Sequence, residues 1–179
     1  MTIGASRRHL LIGAGVVAAA AGAGLSWWRG GAAGAAAEAP AADAAVIWTH
    51  RFPRPDGGEL VMAEQRGRPL VLNFWATWCA PCIRELPELD RFHRDQAGKT
   101  QVIGLAVDRL PPVQEFLAKT PLGFPVGLTG MAGIELAREL GNRAGVLPFT
   151  VVFDRLGRPV QQRVGETTYA ELAGWIRAL

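Results

Sequence analysis

Cysteine, histidine and tyrosine are scarce in this chain: two, three and one among 179 residues. Two cysteines, Cys79 and Cys82, exclude a disulfide-dense scaffold and an all-cysteine zinc site, and they permit at most one intramolecular disulfide. Three histidines, His9, His50 and His93, are too few for rich metal chemistry. A surplus of charge is missing as well. The net charge of +3 includes Arg7, Arg8, Arg29 and Glu38; beyond Pro40 there remain 16 basic and 15 acidic residues. That balance leaves no electrostatic footprint for a nucleic-acid partner. With 49% hydrophobic and 20% charged residues, a disordered or collagen-like chain is excluded, and the length suits one packed domain with or without an appendage.

The appendage is at the N-terminus. Residues 13 to 45 contain 16 Ala and 7 Gly, with no turn signals and no amphipathic period that would bury a face. They are expected to stand outside the fold, so the chain divides into a leader, 1–45, and a domain, 46–179. Ser6-Arg7-Arg8-His9 precedes 19 uncharged residues from Leu10 to Trp28. Paired arginines ahead of a weakly hydrophobic Gly/Ala-rich stretch resemble a bacterial twin-arginine export signal, which overlaps in pattern with general secretory signals. Nineteen residues just suffice to cross a bilayer core, and Trp27-Trp28-Arg29 suits an interfacial anchor. Ala-x-Ala cleavage patterns occur at Ala35–Ala37 and Ala37–Ala39, as composition alone would produce. A cleaved signal and a membrane anchor through residues 10–28 therefore both remain open. The absence of a nearby cysteine removes the lipoprotein reading. Either route leaves Arg7 and Arg8 inside and carries the domain to the periplasm.

Beyond Pro40, short apolar runs alternate with mixed-charge segments and turn signals, which is the grammar of an α/β fold. Ala45–Trp48 is expected as an edge strand. The turn Pro55–Gly58 leads to a strand at 59–62, and Pro69–Trp75 and Gln101–Val107 are expected as buried central strands. Helices are expected at Pro81–Asp95, Pro111–Lys119, Met131–Leu140, with Gly141-Asn142 as the cap, and Thr168 to about Ala178. A short strand at 124–128 and a hairpin of 149–153 with 159–165 complete the order. His93, Trp75, Tyr169 and Trp175 read as packing residues, and His50 as a surface residue.

The chemistry lies in Asn73-Phe-Trp-Ala-Thr-Trp-Cys-Ala-Pro-Cys82, where a Cys-x-x-Cys pair falls between a buried strand and a helix N-terminus. A thiolate there faces unpaired amides and the positive end of the helix dipole, which lowers its pKa and lets it attack a disulfide near neutral pH. Spacing of three residues brings the second sulfur within bonding range. Cys79, at the tip, is expected to be the nucleophile and Cys82 the resolving thiol. Zinc would have to recruit His50 and His93, and a structural disulfide across so short a loop would stabilise little.

Trp78-Cys79-Ala80-Pro81-Cys82 resembles the Trp-Cys-x-Pro-Cys signature of thioredoxin-fold proteins, and residues 71–87 resemble the exported TlpA/ResA-like disulfide reductases in particular. That resemblance implies a thioredoxin fold: a mixed central sheet flanked by helices, with an N-terminal strand extension and a central αβ insertion from about Asp108 to Leu128. It also implies that Pro87 kinks the first helix, that Trp78 shields the sulfurs and contacts substrate, and that Leu147 offers its backbone beside a cis-Pro148. Asn73 stands where cytoplasmic thioredoxins carry a buried aspartate. Glu85 matches a carboxylate that some relatives place near the cysteines, and it is expected to relay a proton for Cys82; a solvated helix carboxylate is the alternative.

The implied activity is protein-disulfide reduction, with no cofactor beyond the Cys79–Cys82 pair. Strongly oxidising relatives place a histidine between the cysteines, whereas Pro81 supplies neither a charge nor an N–H to steady the thiolate. Disulfide-bearing client proteins, such as apocytochrome c or proteins with copper-centre cysteines, and a membrane thiol-relay electron donor follow as implied partners. A Cu(I) metallochaperone using the two thiolates is the alternative, weakened because Met62 and Met131 lie far off in sequence.

Overall fold

The computed structural model describes residues 44–96 and 98–179. The leader expectations, export signal and anchor alike, fall outside the described residues. Among those residues, no helix is long and apolar enough to cross a membrane.

Five strands form the main sheet: β3 (Leu70–Trp75), β4 (Gln101–Ala106), β5 (Val126–Leu128), β6 (Phe149–Phe153) and β7 (Pro159–Val164), in the order β5-β4-β3-β6-β7. β3, β4 and β5 run parallel, β6 is antiparallel to β3, and β7 returns antiparallel to β6. β3, β4 and β6 are buried along their whole length because both faces of the sheet are covered, which is why they read as continuous apolar runs. The helices are α1 (Ala80–Gln96), α2 (Leu110–Lys119), α3 (Gly133–Glu139) and α4 (Tyr169–Arg177). The insertion, α2 with β5, adds the outermost parallel strand.

Alternation along β3 sorts the core. Leu70, Leu72 and Phe74 pack with Ile103, Phe149 and α3 on one face, while Val71 and Trp75 join Leu86, Leu89 and Phe92 of α1 and Leu172 of α4 on the other. Each of these apolar side chains contributes about 1.5–3 kcal/mol by leaving water. Gly104 makes the second face possible next to Trp75: a Cβ there would lie 3.0 Å from both Trp75 Nε1 and the Phe124 ring.

Element ends follow local chemistry. The N–H groups of Gly141 (φ +107°) and Asn142 donate to the carbonyls of Arg138 and Ala137, closing α3 as expected. α4 opens on a capping box in which Thr168 Oγ1 accepts from Glu171 N–H and the Glu171 carboxylate accepts from Thr168 N–H.

Two expectations need correction. Ala45–Trp48 is not a strand but part of a 3₁₀ helix, Ala44–Thr49. Its tight turn buries both Ile47 and Trp48, and Trp48 Nε1 donates to Gly157 O at 3.0 Å, a use of the apolar run that no strand partner competes for. The N-terminal extension is instead a separate two-stranded hairpin, β1 (Arg51–Pro53) with β2 (Glu59–Val61). The helix expected from Met131 is also divided, into a 3₁₀ turn (Gly130–Ala132) and α3.

Candidate active site

β3 ends at Trp75, and the chain turns at once into α1, so the segment 76–79 sits at the C-terminal end of a central strand and the N-terminal end of a helix. Cys79 is the residue immediately before α1, and its Sγ accepts the N–H of Cys82 at 3.3 Å. The sulfur thus occupies the place that a serine or aspartate oxygen takes in a helix cap, facing the positive end of the dipole. Pro81, in the first turn, needs no amide partner. Cys79 and Cys82 are joined in a disulfide, with Cα atoms 5.3 Å apart. Cys79 is 6% exposed and Cys82 0%, so the residue expected to attack is the less buried of the two. Pro87 lies within α1 and lacks the N–H that the helix ladder would use there.

The active-site loop is tied to the sheet by Asp108, which follows β4. Asp108 Oδ2 accepts from both Thr77 N–H (3.2 Å) and Thr77 Oγ1, and Oδ1 accepts from Arg109 N–H at 2.8 Å. Sequence reasoning placed Asp108 only as the start of the insertion; a carboxylate directly after a buried strand is the signal it passed over.

Trp78 is 60% exposed beside the disulfide, and Val146 is exposed on the loop before β6. The Leu147–Pro148 bond is cis, as expected. Leu147 packs against the cluster that contains both cysteines, and Pro148 is buried, its carbonyl accepting from Gly165 N–H at 2.8 Å. Topology explains the meeting: β6 is antiparallel to β3, so the start of β6 lies at the same end of the sheet as the end of β3.

Glu85 is 2% exposed, which sets aside the solvated-helix alternative. It points from α1 to the sheet, where Asn73 Nδ2 donates to Oε1 at 2.6 Å and Thr167 N–H donates to Oε2 at 2.8 Å. Asn73 Nδ2 also lies 3.0 Å from Thr150 Oγ1, which is 3.3 Å from Thr167 Oγ1. Burial pushes the Glu85 pKa from its ordinary 4.5 up to about 7; the bonds from Thr167 and Asn73 oppose that rise, and the nearby Glu166 adds to it. Glu85 stands one turn beyond Cys82 on α1. Thr150 and Thr167 were missed in the sequence, where only a polar residue inside a buried run, Thr150 in Phe-Thr-Val-Val-Phe, hinted at them.

His50 and His93 do not join this site. His50 stacks on Phe52 with its Nδ1 2.9 Å from Val46 O, and the His93 ring stands edge-on to Phe124. Among the described residues, no group of three or more His, Cys, Asp or Glu side chains is placed to hold a metal ion.

The comparisons with known proteins agree with this arrangement. Residues 35–173 match the family described as Redoxin. The chain belongs to the Redoxin family. The thiol-disulfide oxidoreductase ResA of Bacillus thuringiensis is 29% identical over 126 residues, covering 69% of this chain and 70% of the relative. Sporulation thiol-disulfide oxidoreductase A of Bacillus subtilis is 27% identical over 157 residues, 85% of this chain and 90% of the relative. Among solved structures, a DsbF homologue from Corynebacterium diphtheriae superposes with a TM-score of 0.64 at 28% identity, over 73% of this chain and 83% of that one. This Redoxin-family protein has the thioredoxin fold and is a thiol:disulfide oxidoreductase, and it carries the Cys79–Cys82 disulfide.

Proposed function

We propose that the protein works as a disulfide reductase on the periplasmic side of the inner membrane, with residues 1–45 serving as export signal or anchor. The Cys79 thiolate attacks one sulfur of a client disulfide and expels the other client sulfur as a thiolate. Cys82 then gives its proton to Glu85, and its thiolate attacks Cys79 Sγ. The mixed disulfide breaks, the second client thiolate leaves, and solvent protonates both client sulfurs while Glu85 returns its proton to solvent. The protein ends oxidised and the client reduced by two electrons.

The observation that carries this reading is the arrangement along one helix start: a Cys79 less buried than its partner and held by the Cys82 amide, a fully buried Cys82, and a buried carboxyl group one turn further on. Pro81 supports the reductive direction, because the thiolate gains neither a charge nor an N–H from that residue. Trp78 and the backbone of Leu147 form the client contact, and Pro148 keeps a competing N–H away from the sulfurs. Clients of the kind that present paired thiols for haem or copper insertion suit a reductase in an oxidising compartment, and a membrane thiol relay would return its electrons. The Cys79–Cys82 pair is the only redox group this cycle requires.

Equilibration against glutathione tests the direction. The expected potential lies nearer to about −270 mV than to about −120 mV. A protein left mostly reduced in a mildly oxidising mixture, or unable to reduce insulin, would overturn the reductase reading.

A further inference from the structure

The polar cluster behind the disulfide has an imbalance that its present hydrogen bonds leave unexplained. Asn73 Oδ1 is buried with no partner, while Asn73 Nδ2 has two oxygen partners, Glu85 Oε1 and Thr150 Oγ1. An orphaned buried acceptor is costly and uncommon. That arrangement fits an ionised Glu85, which can only accept. It fails once Glu85 is protonated, and the site of the proton can be read from the partners. Oε2 already accepts from the fixed backbone N–H of Thr167, which leaves Oε1, facing a side chain that can turn, as the oxygen to which we assign the proton. There it would meet Asn73 Nδ2 at 2.6 Å, donor against donor.

We propose that Asn73 is a positioning residue whose side-chain amide reverses with the charge of Glu85, so that Oε1 keeps a hydrogen-bond partner whether or not it holds a proton. This rests on the reading that Glu85 takes the Cys82 proton. After reversal, Oδ1 accepts from the Glu85 O–H and from the Thr150 hydroxyl, Thr150 in turn accepts from Thr167 Oγ1, and the NH₂ takes the partnerless position that Oδ1 holds in the other state. Threonine suits position 150 because a hydroxyl can accept from Nδ2 in one state and donate to Oδ1 in the other. Asn73 can serve both states because an amide carries a donor and an acceptor on one axis. An aspartate at that place carries only acceptors and would compete for the proton.

The strand register enforces the pairing: Asn73 lies opposite Thr150 across β3 and β6, and both face α1. The charged groups around Glu85 are few. From the β7–α4 loop comes Glu166, ion-paired with Arg84; from α1 itself comes Glu88, which accepts Tyr169 N–H at 3.1 Å. β3 and β6 contribute only the neutral Asn73 and Thr150. Of the four side chains in the cluster, Glu85, Asn73, Thr150 and Thr167, only Glu85 can change charge.

The test is a pH titration, from 5 to 9, of the reduced, isotope-labelled full chain by NMR, following Glu85 Cδ together with the Asn73 side-chain NH₂. Both resonances are expected to move with one midpoint. If Glu85 titrates while the Asn73 amide stays still, the reversal is wrong although the relay stands. If neither moves, the relay falls and the reversal with it. A second arm uses Asn73→Asp, which keeps the side-chain shape. The two carboxyl groups should share a proton, moving the acid limb of mixed-disulfide release up by about one pH unit and slowing release about fivefold at pH 7. An unshifted profile in the folded variant overturns the proposal.

Discussion

Glu85→Gln isolates the energetic consequence of burying a carboxyl group behind the disulfide. In the folded protein the Glu85 pKa lies at about 7 against an ordinary 4.5, with burial as the main cause. Between those values the folded state holds a proton that the unfolded chain has released, so stability is greatest below pH 4.5 and is lost as the pH rises through about 7. At 1.36 kcal/mol for each pH unit separating the two values, the full loss is about 3 kcal/mol. Because Glu85 is 2% exposed, solvent screening takes little from that figure. Glutamine never ionises. Its carbonyl can accept Thr167 N–H and its NH₂ can donate to Asn73 Oδ1, the bonding pattern of the protonated acid. The variant should therefore be more stable than the parent by about 3 kcal/mol at pH 8 and by only about 1 kcal/mol at pH 5. Urea unfolding of the oxidised proteins at both pH values, with m compared to confirm the same transition, measures the difference. A parent-to-variant gap that is equal at pH 5 and pH 8 would refute the reasoning. The same variant should also lose the pH dependence of client release near 7, because no carboxylate remains to take the Cys82 proton.

The other consequences concern the sulfurs and their groove. Alkylation of the reduced protein should modify Cys79 well before Cys82, and Cys82→Ser should trap a client through Cys79 in a mixed disulfide visible by mass spectrometry; trapping only in Cys79→Ser would reverse the assignment. Pro148→Thr introduces an N–H at the residue before β6, after Leu147, which packs against the cysteine cluster, and should lengthen mixed-disulfide lifetimes several-fold while the circular dichroism spectrum is unchanged; unaltered lifetimes would remove Pro148 from the proposed client contact.

Much of the redox centre is local and was therefore legible in the sequence. Cys79 and Cys82 are three residues apart on one helix start, so their chemistry depends on a strand ending at Trp75 and a helix beginning at Ala80, both visible as an apolar run and a proline followed by helical spacing. The capping box at Thr168 and the cap at Gly141-Asn142 are local in the same sense. Glu85 is different. Its spacing on α1 permits burial or exposure, and what settles it is Thr167, 82 residues away, and Asn73 on the strand beneath. Asn73 inside Leu-Val-Leu-Asn-Phe-Trp announces that a polar group will be buried and must find a partner. The identity of that partner depends on the register of β3 against β6 and on where the β7–α4 loop crosses the helix. The Thr77–Asp108 tie and the 3₁₀ turn at Ile47 and Trp48 have the same origin: short side chains and an apolar triplet admit several local conformations, and only contacts distant in the chain choose among them. Local order thus set the cysteine pair, and the tertiary structure decided that a carboxyl group with a raised pKa is buried behind it, because a carboxyl group's pKa is made by the surroundings that fold around it.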